Sequence, residues 1–143
     1  MFEKILIANR GEIACRIIKT AKKMGIKTAA IYSEADRSAL HVSLADEAFC
    51  IGPPPANQSY IVIEQVLDAI RKSGATAVHP GYGFLSENSK FAEALATENI
   101  VFIGPPADAI KKMGDKITSK KIARKTGVCT VPGYLGLIKS VDE

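Results

Sequence analysis

The chain has 143 residues, of which 47% are hydrophobic and 24% charged, and its net charge is +4. This is the length and composition of one globular domain with a hydrophobic core, and no apolar run is long enough to span a membrane. The chain has no Trp, and its basic residues do not alternate with aromatic ones, which argues against nucleic acid as a partner.

Three short apolar runs in the first third of the chain are typical of buried parallel strands: 4–8, 28–32 and 48–51. Residues 12–24, between the first two runs, predict an amphipathic helix that Gly25 ends. The apolar face of this helix consists of Ile13, Ile17, Ala21 and Met24. The opposite face is charged and carries Glu12, Arg16, Lys19 and Lys23. Such a face is usually solvated, and contact with a partner subunit is the alternative.

Two more helices are predicted before residue 75. The first is short and carries Leu40 and Leu44 at i,i+4 spacing, and His41 is expected to be a surface residue on it. The second covers about 60–72, with Ser59 as its N-cap and Gly74 as its end. The core face of this second helix consists of Ile63, Val66, Leu67 and Ile70.

The stretch 79–88, with the sequence HPGYGFLSEN, follows a predicted fourth strand at 75–79. Pro80 ends the strand, because proline cannot donate a hydrogen bond to a sheet. Gly81 and Gly83 allow backbone conformations that a Cβ would forbid, and they let a ligand approach the main chain closely. Tyr82 between them offers an apolar ring with a polar tip. Taken alone, this pattern favours a tight strand-to-helix turn without a ligand.

A helix and a fifth strand are predicted directly after this stretch. Ser86 or Asn88 is expected to cap the helix, and its first turn then carries Glu87. Asn99, which tolerates a left-handed backbone, ends the helix, and the strand covers 100–103.

The last part of the chain predicts two more helices. Pro106 begins the first and Gly114 ends it, while Asp115 caps the second. Lys116 follows a glycine at a helix start, where a lysine can reach a phosphate, but on charge alone it is one lysine among many. The segment 131–138 predicts a turn and the start of another strand.

Five strands that alternate with helices predict an α/β fold: an open, mostly parallel, Rossmann-like sheet with helices on both faces. In the strand order 3-2-1-4-5, the first and fourth strands are neighbours at the point where the order reverses. Ligands bind at that point, beyond the carboxyl ends of the strands. The loops there are 9–12 and 80–87, so the topology independently indicates the glycine stretch as a site.

A dinucleotide site is the first alternative for such a fold. Of the pattern G-x-G-x-x-G, the loop after the first strand keeps only Gly11 and an acceptable Ala14, and Glu12 stands where a pyrophosphate would approach. A stand-alone dinucleotide-binding module is therefore disfavoured but left open. His41 and His79 have no second ligand at metal-binding spacing, so we expect no metal site. The three cysteines also lack such spacing and are expected to be free thiols: Cys15, Cys50 and Cys129.

Three segments, 7–14, 79–88 and 113–116, closely resemble in this order the N-terminal part of biotin carboxylase, the ATP-dependent component of biotin-dependent carboxylases. The resemblance covers essentially the whole chain. It implies a pre-ATP-grasp α/β domain over 1–114, followed over 115–143 by a helix and the start of the connection to an ATP-grasp domain. Residues 131–138 are most similar to the propionyl-CoA branch of the acyl-CoA carboxylases. Another ATP-grasp ligase is the enzymatic alternative.

The resemblance also implies a reaction and its cofactors. ATP and bicarbonate form carboxyphosphate, and the carboxyl group then passes to N1 of biotin. ATP, biotin and Mg²⁺ (or Mn²⁺) are thus expected in the full-length enzyme. The family's general base and its metal-binding glutamates lie beyond residue 143, so the resemblance places no catalytic residue and no metal ligand in this chain. We therefore expect these 143 residues alone to be inactive.

The same resemblance assigns roles to residues of this chain. Lys116 matches the lysine that contacts ATP, and the turn beside the biotin ring matches Tyr82, Gly83 and Phe84. The motif is supported by His79 and Glu87. Arg16 matches a residue of the family's dimer interface. However, Lys19 and Lys23 replace an arginine and a glutamate of a bacterial stand-alone form, so the same dimer mode is not implied.

The implied partners are the ATP-grasp remainder of the same chain, a biotin carboxyl carrier domain and a carboxyltransferase subunit. A homodimer is possible, and a dimerisation module that uses the basic helix face is a further alternative. The N-terminus does not resemble a signal peptide, and free thiols are typical of reducing compartments. We therefore expect the protein in the cytoplasm of a bacterium or in the mitochondrial matrix.

Overall fold

The computed structural model describes residues 1–134, 136 and 140. Five strands form one sheet in the order β3-β2-β1-β4-β5, and every neighbouring pair is parallel. The strands are β1 Lys4–Ile7, β2 Lys27–Tyr32, β3 Glu47–Cys50, β4 Ala77–His79 and β5 Val101–Phe102. The predicted fold class and strand order are confirmed.

Within the described residues, six α-helices alternate with the strands: α1 Gly11–Lys23, α2 Leu40–Leu44, α3 Ile63–Ser73, α4 Ser89–Thr97, α5 Ala107–Gly114 and α6 Lys116–Lys125. The connections from β1 to β2 and from β3 to β4 run in opposite directions across the sheet. Right-handed crossovers therefore place α1 and α3 on opposite faces. Over the part of the chain that the structure describes, none of the helices combines the length and the apolar character of a membrane span.

The core consists of two apolar clusters, one on each face of the sheet. Successive side chains of a strand point to opposite faces, so Leu6 of β1 belongs to one cluster, and Ile5 and Ile7 belong to the other. The first cluster is completed mainly by α3 and α4, and the second mainly by α1. Burial on both faces explains why β1 is a continuous apolar run without alternation.

Helix ends follow the sequence signals where a left-handed residue is needed. Gly74 follows α3 with a φ of 66°, and Asn99 lies just after α4 with a φ of 58°. The α3 start was predicted wrongly. Val62, not Ser59, is its N-cap, and the Ser59 hydroxyl donates to the Pro55 carbonyl in the preceding loop at 2.9 Å. A short 3₁₀ turn in that loop, Ala56–Gln58, delays the helix.

His41 was also predicted wrongly, since only 1% of it is exposed, whereas 61% of Leu40 is. The helix α2 has five residues, so its leucine spacing does not decide which side faces the sheet. His41 turns inward, and its Nε2 lies 3.2 Å from the Ile31 carbonyl oxygen. Met24 is another error: it is exposed because it follows the end of α1.

The predicted strand at 131–138 is not formed over the residues 131–134, which have no regular secondary structure. The rest of that prediction falls on Gly136, which is in a bend, and on Leu135, Leu137 and Ile138, which lie outside the described residues.

A matched pair of glycines tests the origin of the α3 end. Gly74 and Gly114 both have open space where a Cβ would be, but only Gly74 has a positive φ. Gly74→Ala should lower the free energy of unfolding by about 1–2 kcal/mol, because a Cβ disfavours the left-handed conformation. Gly114→Ala, at the last residue of α5, should raise it by up to about 1 kcal/mol. Urea unfolding measures both, and equal effects of the two variants would contradict this account.

Candidate functional site

The loops after β1 and β4 meet at the carboxyl edge of the sheet, as the topology predicts. Ile7 pairs with His79, and the Ala8 amide donates to the His79 carbonyl at 2.9 Å. Asn9 follows and is 3% exposed. Its Nδ2 donates to the carbonyls of Pro80 and Tyr82 at 2.7 and 2.8 Å. This single amide therefore holds the glycine turn against the end of β1.

Both glycines of the turn have the positive φ that favours glycine, 67° at Gly81 and 64° at Gly83. A Cβ at Gly81 would lie 2.7 Å from Nδ2 of Asn9, so the close approach of Asn9 requires glycine there. No atom would lie within 4 Å of a Cβ at Gly83, so this residue leaves open space beside the main chain. Phe84 has a φ of 45°, a conformation that costs a residue with a side chain about 1–3 kcal/mol.

Tyr82 projects from the turn with 60% of its surface exposed. Its hydroxyl donates to Oε1 of Glu12 at 2.6 Å, and this hydrogen bond raises the pKa of Tyr82. Glu12 lies in the first turn of α1. The carboxylate that disfavoured a dinucleotide site thus orients the exposed ring. Sequence reasoning missed this role of Glu12 and the two hydrogen bonds that Asn9 donates to the turn, although the switch-point topology had placed both loops together.

His79 belongs to the turn through its side chain. Its Nδ1 accepts a hydrogen bond from the Gly81 amide at 3.1 Å, and burial together with the charge of Arg16 lowers the pKa of the imidazole. A neutral ring is required for this, because a protonated Nδ1 cannot accept. Arg16 itself is exposed on α1, where it and His79 line an apolar cleft of 310 Å³ with Ile17, Met24 and Ile103.

Glu87 was predicted in the first turn of a helix, and this was wrong, because Glu87 precedes the N-cap of α4. That cap is Asn88, whose Oδ1 accepts from the amides of Lys90 and Phe91 at 3.0 and 3.3 Å. Glu87 instead lines a cleft of 380 Å³ between the end of the turn and α5. Gly114, at the end of α5, also lines this cleft.

Lys116 is exposed at the first position of α6, and it forms no ion pair among the residues that are described. Asp115 caps this helix: its Oδ1 accepts from the Thr118 amide at 2.6 Å, which lowers the pKa of Asp115. The capping carboxylate takes the place that an anion would occupy on the helix axis. Lys116 can therefore reach a phosphate with its ammonium group, without support from the helix terminus.

A second set of residues to which the sequence analysis gave no role lies next to Phe84. Arg10 and Tyr60 contact its ring, and Ser33 and Asp36 form hydrogen bonds with Tyr60. Burial alone would raise the pKa of Asp36. Hydrogen bonds from Tyr60, Ser33 and Arg10 outweigh that effect, and the pKa is lowered. Burial and the bond to Asp36 raise the pKa of Tyr60, which keeps its hydroxyl protonated as a donor.

The structure thus brings Tyr82, Gly83, Phe84 and His79 together in one turn. Arg16 lines a cleft with His79, Glu87 lines a second cleft beside α5, and Lys116 is exposed at the start of α6. No group of three His, Cys, Asp or Glu side chains that could hold a metal ion occurs within residues 1–134 or at the two further described positions. All three cysteines are free thiols, Cys15 buried and the others exposed.

Comparisons with known proteins agree on one family. Residues 1–110 match the family model described as "Biotin carboxylase, N-terminal domain". The propionyl-CoA carboxylase alpha chain of Ruegeria pomeroyi is 73% identical over 143 residues, 100% of this chain and 21% of that protein. The human mitochondrial propionyl-CoA carboxylase alpha chain is 58% identical over 142 residues, 99% of this chain and 20% of that one. The chain thus spans about a fifth of these curated relatives.

Solved structures give the same answer. A biotin carboxylase from Campylobacter jejuni, in a β,γ-ATP complex, has a TM-score of 0.95 at 44% identity, with 99% of this chain and 32% of that chain covered. The biotin carboxylase domain dimer of Hydrogenobacter thermophilus 2-oxoglutarate carboxylase has a TM-score of 0.94 at 49% identity, with 99% and 31% covered. That structure contains magnesium ADP, ADP and bicarbonate.

The double hydrogen bond of Asn9 can be tested by Asn9→Asp. At neutral pH this change replaces a buried donor with a carboxylate that faces two carbonyl oxygens, and it should cost about 3 kcal/mol or more of stability. Those surroundings raise the folded-state pKa of the new carboxyl above its unfolded value of about 3.9. The loss should therefore be smallest below about pH 4 and grow as pH rises through the folded-state pKa.

Asn88→Asp is the matched control, because the side-chain oxygen of Asn88 only accepts hydrogen bonds and aspartate caps a helix equally well. Its stability should stay within about 0.5 kcal/mol of the original chain. Urea unfolding at pH 4 and pH 7 separates the two variants. Similar effects at both sites would contradict the proposed role of the Asn9 amide.

Proposed function

Because the chain belongs to the family of biotin carboxylase N-terminal domains, we propose that it supplies the biotin-facing wall of an ATP-dependent biotin carboxylase. One observation carries this proposal: at the topological switch point, the turn presents the exposed Tyr82 ring next to the open space at Gly83. Open parallel sheets bind ligands at this position. The identity to propionyl-CoA carboxylase relatives supports an acyl-CoA carboxylase, with propionyl-CoA as the proposed final acceptor.

The turn fits the flat bicyclic ring of biotin. The absence of a Cβ at Gly83 lets a planar ligand lie against the backbone, and the Tyr82 ring offers an apolar surface beside it. The hydrogen bond to Glu12 holds that ring in one orientation before the ligand arrives. Bound biotin supplies the ring nitrogen that receives the carboxyl group. Phe84 completes this side of the site. His79, which accepts from the Gly81 amide, and Glu87, which follows the turn, are proposed to support the motif.

Lys116 is proposed to contact ATP. Lys116 is exposed at the start of α6, two residues after Gly114, which lines a cleft together with Glu87. Its ammonium group can donate to a phosphate oxygen as a point charge. Mg²⁺ or Mn²⁺ would be held by acidic residues outside the described part of this chain, in which no three candidate ligands stand together. Bicarbonate would likewise be activated elsewhere, in the ATP-grasp part of the full-length enzyme.

We propose residues 1–114 as the α/β domain and 115–143 as the helix and connection to the ATP-grasp part. The match of the family model over 1–110 supports the first boundary. A biotin carboxyl carrier domain and a carboxyltransferase subunit would be the further partners. Relatives are found in bacteria and in mitochondria, which supports the bacterial cytoplasm or the mitochondrial matrix as the location.

A homodimer through the outer face of α1 stays a prediction. Arg16, Lys19 and Lys23 are exposed there, and a two-fold interface would bring these like charges together. We therefore expect at most weak association through this face, strengthened by salt that screens the repulsion. Sedimentation of the full-length chain at low and high salt checks this. A tight dimer at low salt that Arg16→Ala abolishes would contradict the expectation.

The function can be tested by ATP cleavage in the full-length protein that carries this chain. Cleavage should depend on bicarbonate and rise with free biotin, whereas the 143-residue chain alone should show none. Tyr82→Ala should raise the KM for biotin about tenfold, because the packing surface is lost. Lys116→Met should raise the KM for ATP about tenfold or more, because a hydrogen bond to a charged phosphate is lost.

Each variant controls for the other, since each should leave the KM for the other ligand within twofold. Lys111→Met removes a comparable exposed lysine from α5 and should change neither constant. A folded full-length protein without biotin-dependent ATP cleavage would refute the proposed function. A Tyr82→Ala variant with an unchanged KM for biotin would refute the assignment of the turn.

A further inference from the structure

The guanidinium of Arg10 lies over two aromatic rings at the carboxyl edge of the sheet. Its Cζ is 5.5 Å from the centroid of the Tyr60 ring and 5.7 Å from that of Phe84. Its Nη1 also donates a hydrogen bond to Oδ2 of Asp36 at 3.3 Å. Arg10 is the N-cap residue of α1, but its side chain makes no capping hydrogen bond. Its contacts are therefore directed at the glycine turn and at the Asp36 carboxylate.

The two rings are stacked, with centroids 5.1 Å apart and planes at 6°. Tyr60 is fully buried, and its hydroxyl is fixed by two hydrogen bonds: it donates to Oδ2 of Asp36 at 2.6 Å and accepts from the Ser33 amide at 2.9 Å. Tyr60 thus forms a fixed plate. Phe84 is stacked on this plate, and the Arg10 guanidinium lies beside the stacked pair at nearly equal distances from both rings. The Phe84 ring is thus held by two contacts, although its own backbone has an unfavourable positive φ.

Two consecutive residues therefore hold the two ends of the glycine turn. Asn9 binds the carbonyls of Pro80 and Tyr82 at its start, and Arg10 holds the Phe84 side chain at its end. Tyr82 and Gly83, the residues proposed to face biotin, lie between these two attachments. Without the second attachment, the strain at Phe84 would favour other conformations of the turn.

We infer that Arg10 is a positioning residue for biotin: with Asp36 and Tyr60 it keeps the turn in the conformation that receives the ring. The inference rests on the proposed function for the identity of the ligand. If the binding-competent turn is populated only part of the time, the apparent affinity for biotin falls by that fraction. Lys116, the residue proposed to contact ATP, is not part of the turn, so the affinity for ATP should not change. In this inference Arg10 contacts neither ligand and acts through the Phe84 and Tyr60 rings.

The test compares Arg10→Met with Arg37→Met in the full-length protein. Arg37 is an exposed arginine whose Cζ lies 5.8 Å from the centroid of the Tyr32 ring, and so makes the same kind of contact with a ring that does not belong to the turn. Arg10→Met should raise the KM for biotin about 5- to 30-fold, as expected for a lost cation–π contact. The KM for ATP should stay within twofold, and Arg37→Met should change neither.

Arg10→Lys is the conservative variant. It keeps the charge beside Asp36 but loses the planar group over the rings, so its KM for biotin should lie between those of Arg10→Met and the original protein. Arg10 is exposed, so the substitution should leave the protein folded, and thermal unfolding of each variant checks this. An unchanged KM for biotin in a folded Arg10→Met variant would overturn the inference.

Hydrogen exchange provides a readout that does not need activity. The Ser86 amide donates to the Gly83 carbonyl at 2.9 Å, so its exchange reports on opening of the turn. Arg10→Met should speed this exchange by about the factor seen in KM, and Arg37→Met should not. Unchanged exchange would overturn the inference. Faster exchange in a full-length protein without biotin-dependent ATP cleavage would support the positioning role and refute the proposed function instead.

Discussion

The side-chain amide of Asn9 connects the end of β1 to the chain that follows β4, at the point where the strand order reverses. Its two hydrogen bonds bring the main chain after β4 against the end of β1, seventy residues earlier. That approach leaves no room for a Cβ at Gly81, which fixes the residue type there. The rest of the site is arranged around this contact. The Tyr82 side chain is exposed, Gly83 leaves open space beside the main chain, and Phe84 has a strained backbone conformation.

The charged groups near the turn mainly hold neighbouring side chains in place through hydrogen bonds. Glu12 accepts the Tyr82 hydroxyl, and Asp36 collects hydrogen bonds from Arg10, Ser33 and Tyr60. These bonds form before any ligand binds, so the turn is already ordered. Less of the binding free energy is therefore lost in ordering the turn. This division suits the proposed role, in which the domain faces biotin and the chemistry takes place on another part of a longer protein.

Much of the fold could be predicted because it follows from local periodicity. The continuous apolar run of β1 and the 3.6-residue repeat of α1 decide burial directly, and the alternation of strands and helices then limits the topology to few orders. Local signals fail where an element is too short to show a period. In the five-residue α2, the spacing of two leucines suggested the wrong inner face, and His41 was missed as a core residue. The helix after residue 59 started late because a 3₁₀ turn intervenes.

The site could be predicted in position but not in its contacts. Topology alone brought the loops after β1 and β4 together, and the family resemblance named Tyr82, Gly83 and Phe84. Nothing in the local sequence links Arg10, Asp36, Tyr60 and Phe84. These four residues come from four loops and meet only in the folded chain. Asn9 was taken as the loss of a turn glycine, because its role depends on carbonyl groups whose direction only the structure gives.

Phe84 shows a conflict between foldability and use. Its backbone conformation is one that glycine would adopt without cost, so the backbone alone favours glycine at this position. Glycine has no ring to stack on Tyr60 or to pack against the core, and the turn would then lose the anchor at its second end. The side chain and the backbone of one residue thus favour different amino acids, and the ring decides the outcome in this chain. Replacement by glycine in a related sequence would predict a turn that is no longer held in this conformation.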